Sequence, residues 1–156
     1  MDNKPTKTKD SLGVNKPTNP KDSLGVNKLP LSLVPTTAIA VESLALLEGA
    51  SKYGRQNWRA TGVRATVYID AALRHLQAYY EGEDVDPVSK VSHLGHVRAC
   101  MAILIDAEVA GVLVDDRSYE GNFYRGFIDE LTYKVEQIID THKDKEPKHY
   151  TIQDNQ

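Results

Sequence analysis

The sequence predicts an all-α fold, a small four-helix-type bundle with flexible N- and C-terminal tails. Two observations predict it. Four stretches carry apolar residues at helical spacing. Three of them run into a glycine placed to stop a helix, namely Gly54, Gly82 and Gly111. The length of 156 residues fits one domain, and an apolar fraction of 40% is enough for a helical core.

The first 28 residues contain a tandem repeat of period 12. Asn3-Lys4-Pro5-Thr6 recurs as Asn15-Lys16-Pro17-Thr18, and Lys9–Lys16 recurs as Lys21–Lys28. A polar, Pro-rich duplication of this kind reads as a mobile tail. Gly25 between Lys21 and Lys28 could wrap a phosphate, but a turn in a basic tail is the simpler reading. Residues 29–142 are expected to form a helical nucleotide-binding domain, and 143–156 a second loose tail.

Helix one is expected from Thr36 or Thr37 to Tyr53, with Ala40, Leu44 and Leu47 inward. Helix two spans Gly62 to Tyr80, with Val67, Ala71 and Leu76 inward and Asp70 paired with Arg74 at i, i+4. An acidic loop, Glu83-Asp84-Val85-Asp86-Pro87, follows. Helix three covers Ser89 to Ala110 and is nearly all apolar from Ala99 to Ile105, so it is the central one. The fourth, Phe123 to Thr141, lines up Phe127, Leu131, Val135 and Ile138 on one face. Such a face suits burial against a copy, so a homo-oligomer, most simply a dimer, is expected.

Bulk properties exclude several classes. The net charge of −3 argues against a nucleic-acid binder. The single cysteine, Cys100, rules out an intramolecular disulfide. No apolar run reaches membrane-spanning length and the start does not read as a signal peptide, so a cytoplasmic protein with no membrane partner is expected.

Two clusters point to chemistry. The stretch Glu48–Arg59 holds the only tryptophan. Lys52, Tyr53, Asn57, Trp58 and Arg59 supply the aromatic faces, amide and cations that a nucleobase and its phosphates need. The second cluster depends on helices two and three being antiparallel neighbours. His75 and His96 then lie at similar heights, with His93 one turn away on the same face, and Arg74 beside them. Glu48, Asp70 and Asp106 could converge one or two turns from the histidines. Facing carboxylates in a bundle commonly hold Mg²⁺ or Mn²⁺ against substrate phosphates.

An ordered string of short motifs adds to this reading. It comprises Asn19-Pro20-Lys21-Asp22, Lys28-Leu29-Pro30-Leu31, Leu33-Val34-Pro35, Glu48-Gly49-Ala50, Lys52-Tyr53-Gly54, Asn57-Trp58-Arg59, Arg74-His75-Leu76, Gly82-Glu83-Asp84, His93-Leu94 and Asp115-Asp116-Arg117. Over residues 19–117 it resembles a phage family, the dATP/dGTP diphosphohydrolase N-terminal domain. The resemblance implies an all-α, MazG-like nucleotide pyrophosphohydrolase in the host cytoplasm. It would use Mg²⁺ held on helical acids to split a nucleoside triphosphate into monophosphate and pyrophosphate. On that reading Glu48, Asp70 and Asp106 are the catalytic, metal-holding residues. Those relatives carry Glu-x-x-Glu followed by Glu-x-x-Asp. Here Glu42 and Glu48 are six apart, and Asp70 has no acid three residues before it. Two other readings stand beside the enzyme. One is a non-catalytic protein that binds a nucleotide or sequesters a nucleotide signal. The other is a structural or partner-binding helical protein.

Overall fold

The computed structural model describes residues 20–25 and 27–155. The first copy of the tandem repeat, and the expectations attached to it, lie outside the described residues. The chain divides into two compact units, 1–39 and 40–156. The fold is all-α, as the sequence predicts.

The first unit holds α1 (Pro20–Gly25), a 3-10 turn (Leu31–Leu33) and the opening of α2 (Thr36–Tyr53). The Lys28 backbone N–H donates to the Gly25 carbonyl at 3.0 Å, so this glycine sits in a turn of the chain.

The second unit holds the rest of α2, then α3 (Asn57–Thr61), β1 (Val63–Arg64), α4 (Ala65–Tyr80), α5 (His93–Val109), β2 (Leu113–Val114) and α6 (Tyr124–Thr141). Helices α4 and α5 form the antiparallel hairpin that the sequence suggests. The His93 N–H donates to the Asp84 carbonyl at the loop end. At the other end β1 pairs in parallel with β2, Val63 opposite Leu113. Glycines with positive φ follow α2, α4 and α5 at the expected positions 54, 82 and 111.

The structure departs from expectation at two helix starts. The second predicted helix was to begin at Gly62, but α4 begins at Ala65. Gly62 has φ +72° and sits where a Cβ would meet the Val112 carbonyl oxygen at 2.8 Å. Its neighbours are drawn into the β1–β2 pair, which two residues per strand make too short to read from alternation. The third helix starts at His93 and not Ser89, because the chain turns over Pro87–Ser89 into Lys90, whose φ is +61° and whose N–H donates to the Asp86 carbonyl.

The core is built from small residues. Ala45, Val63, Ala65, Ala72, Ala99 and Ala107 are buried, together with His93 and Gly95. The larger side chains expected inside α2 and α4, Leu44, Leu47, Val67 and Leu76, are exposed. Close approach explains the exchange, because small residues occupy the seam and the large ones are left on its outer flanks. Gly95 is the extreme case: a Cβ there would lie 2.9 Å from the Val41 carbonyl oxygen and 3.0 Å from Val41 Cγ1. Arg98 locks the same α2–α5 contact, donating to Glu42 Oε2 through Nε at 3.0 Å and Nη2 at 2.7 Å.

Gly95→Ala is therefore expected to lower stability by about 1–3 kcal/mol through overpacking. Gly49→Ala, where a Cβ meets nothing within 4 Å, should instead raise it by roughly 0.5–1 kcal/mol by removing a helix-interior glycine. Urea denaturation of both variants checks the pair. Equal effects would refute the close-contact account.

Candidate functional site

The hairpin carries polar clusters at both ends. At the end away from the α4–α5 loop, Asp106 near the end of α5 accepts from three donors. Trp58 Nε1 donates at 2.6 Å, Arg59 Nε at 2.7 Å and Arg59 Nη2 at 2.5 Å. These bonds, first the guanidinium and then the indole, hold the Asp106 carboxyl down at about 2. Trp58 and Arg59 thus fasten the short helix α3 to α5. Nearby, Asp116 caps the start of α4, accepting from the Thr66 N–H at 2.9 Å and its hydroxyl at 2.7 Å. Asp70 is exposed and lines an open cleft of about 780 Å³ with Thr66, Asp115, Arg117 and Tyr119. The expected Asp70–Arg74 ion pair does not form among the described residues.

At the loop end, His75, His93 and His96 meet. The His75 and His96 rings stack with centroids 4.4 Å apart and planes 8° apart. His75 Nδ1 and His93 Nδ1 share a hydrogen bond of 2.8 Å, in which one donates and the other accepts. His93 is 4% exposed, and its Nε2 has no hydrogen-bond partner. The Glu83 carboxylate is 3.5 Å from that nitrogen. The tautomer with His75 as donor turns the His93 Nε2–H toward this carboxylate and leaves His75 Nε2 as an acceptor.

His96 Nε2 lies 2.8 Å from Ser89 Oγ. Asp86 in turn accepts the Ser89 N–H at 2.8 Å. The Ser89 hydroxyl and backbone bonds hold the Asp86 carboxyl at about 2. Burial lowers the pKa of His75, and the other two imidazoles lower it further. Burial likewise lowers that of His96. Both rings are therefore neutral at pH 7 and become cationic only in acid.

Charged side chains ring this cluster. Glu48 forms an ion pair with Lys52, one helical turn on, and both act electrostatically on His96. The hydrogen bond to Glu48 raises the Lys52 pKa. Arg74 is exposed, acts on His75, and has no ion-pair partner among the described residues. Tyr53 is exposed at the end of α2, and Asn57 is half-buried at the start of α3.

Most of the predicted site residues fall into two groups, with Asp70, Tyr53 and Asn57 outside both. His75, His93, His96, Lys52, Arg74 and Glu48 gather at the loop end. Trp58, Arg59 and Asp106 gather near the end of α5, about 15 Å along the helix from His96. The three acids proposed to hold a divalent ion do not converge. Glu48 is paired with Lys52, Asp106 with Arg59 and Trp58, and Asp70 lines the separate cleft. Among the described residues no three His, Cys, Asp or Glu side chains are grouped to hold a metal. The residues present do not fit a shared Mg²⁺. Sequence reasoning missed Glu83, Asp86 and Ser89 as partners of the histidines. The acidic loop was visible, but its hydrogen bonds depend on the turn at Lys90.

The family model described as dATP/dGTP diphosphohydrolase, N-terminal, matches residues 18–117. The chain belongs to that family. No curated protein and no solved structure matches it. The matched segment contains all three histidines and the Asp106 clamp and ends before α6. No helix among the described residues is long and apolar enough to cross a membrane.

The pH dependence of stability follows from these shifts. Asp106 titrates at about 2 when folded and at about 3.9 when unfolded. Its contribution is complete above that unfolded value and is lost as pH falls through about 2. His75 and His96 also lie below their usual value, so stability declines further as pH falls below about 6.5. Melting temperatures of wild type and Asp106→Asn should differ at neutral pH and converge in strong acid. A constant gap would contradict the clamp.

Proposed function

We propose that this chain binds the phosphates of a purine deoxynucleoside triphosphate at the histidine end of the α4–α5 hairpin. The observation that carries this reading is the packing of His75, His93 and His96 at one end of the hairpin, with Arg74, which has no ion-pair partner among the described residues, acting on His75. A triphosphate would accept hydrogen bonds from the imidazoles and offset the burial and mutual repulsion that keep His75 and His96 neutral. The exposed Tyr53 supplies an aromatic face for a base. The purine deoxynucleotide itself comes from the family description. The reading places the protein in the cytoplasm of a phage-infected host, where deoxynucleotide pools are found.

One observation favours a second reading, hydrolysis of the bound nucleotide. The line from Glu83 through His93 to His75 orients a neutral imidazole with a free Nε2. Such a group can take a proton from an attacking water.

Calorimetry with dATP, dGTP and dCTP, each with and without Mg²⁺, tests binding, and pyrophosphate release tests turnover. The two purine nucleotides should bind more tightly than dCTP, and more tightly at pH 6 than at pH 8, because the anion favours protonated histidine. His75→Ala should cost about 1.5–3 kcal/mol of affinity, the range for a hydrogen bond to a charged group. Arg74→Ala should also weaken binding, while Arg59→Ala should leave it unchanged. Equal affinity in wild type and His75→Ala, or a loss confined to Arg59→Ala, would refute the assignment.

A further inference from the structure

We propose that α6 is a self-association helix whose apolar face docks on α6 of a second copy of this chain. Every residue of α6 is exposed. Among the described residues its main packing partner is the 3-10 turn Gly121–Phe123 that leads into it. Yet its sequence is sharply two-faced. At 100° per residue, Tyr124, Phe127, Ile128, Leu131, Val135, Ile138 and Ile139 fall within roughly 120° of the helix circumference. Their exposures run from 37% at Leu131 to 65% at Ile139. A soluble monomer rarely leaves a continuous stripe of this kind in water.

The pattern identifies the occupant. Tyr124, Ile128, Leu131, Val135 and Ile138 follow the alternating three- and four-residue spacing of a coiled-coil seam. Ile128 and Val135 take one seam position, and Tyr124, Leu131 and Ile138 the other. β-Branched residues at the first position with leucine at the second favour two strands, a pattern that Ile128 and Leu131 follow at the middle of the helix. Phe127 and Ile139 widen the stripe on either flank. Scaled by their exposures, the seven side chains present on the order of 700 Å² of apolar surface per copy, close to the ~800 Å² per partner of a stable interface.

Charge argues against a lipid surface as the occupant. The polar face carries Asp129, Glu130, Glu136 and Asp140 against Arg125 and Lys134. Surface-seeking helices carry lysine and arginine in excess there. The helix also lies beyond residue 117, where the family match ends. Self-association is thus separable from the proposed nucleotide site.

Sedimentation equilibrium of the full chain at high micromolar concentration tests the proposal. Twice the chain mass is expected, and Leu131→Glu with Val135→Glu should reduce it to one chain mass. A monomeric wild type would overturn the proposal, including one that co-sediments with anionic vesicles. So would a double variant that remains dimeric. Because the charge pair could also melt α6, a cross-linking test accompanies it. In a Cys100→Ser background, Val135→Cys should form a disulfide-linked dimer under mild oxidation, and Glu136→Cys on the opposite face should not. Equal cross-linking at both positions, or none at Val135→Cys, would overturn the proposal.

Discussion

Two helices can approach closely only where both present small side chains, and that constraint shapes this domain. Ala65 and Ala72 on α4, Ala99 and Ala107 on α5, and Ala45 on α2 are all buried. Gly95 lets the α2 backbone sit almost on α5. Such a seam gains its stability from many short-range contacts and little from the burial of large apolar groups. It also sets the spacing at which side chains at the hairpin ends face each other. The imidazoles of His75 and His96 stack because the helices bearing them are this near.

The seam leaves polar chemistry to the two ends, and the ends do different things. Near the end of α5 the charges are satisfied internally: Asp106 takes the Trp58 indole and the Arg59 guanidinium, and Asp116 caps α4. A cation already neutralised by a bidentate carboxylate has little left for a phosphate. At the loop end the balance is reversed. Three imidazoles share one small volume, one of them buried with an unbonded nitrogen. Mutual repulsion and burial keep His75 and His96 neutral. An anion would relieve both penalties, which is the physical reason for placing the ligand here.

Much of this arrangement was legible in the sequence. Helix spacing and the stop glycines located α2, α4, α5 and α6 to within a few residues. Antiparallel pairing of α4 and α5 brought the three histidines together on paper by rise per residue alone. The tryptophan loop was legible as a polar-aromatic unit, but its partner was not. Asp106 lies 47 residues from Arg59 in sequence, and only the closed β1–β2 end of the hairpin brings them together. Asp106 is taken up by that contact, Glu48 by Lys52, and Asp70 lines a separate cleft, so the expected acidic triad does not assemble. Core identity was misread for a related reason. Helical periodicity shows which residues share a face, but not whether small or large ones line the seam, and here alanine took the inside.

We propose that nucleotide phosphates engage the histidine end and not the tryptophan loop. Side-chain NMR of histidine and tryptophan during a dATP titration measures this most directly. The His75 and His96 ring signals should move with nucleotide and titrate at higher pH when it is bound, while the Trp58 indole signal stays in place. Movement of the Trp58 indole with unperturbed His75 and His96 rings would contradict it.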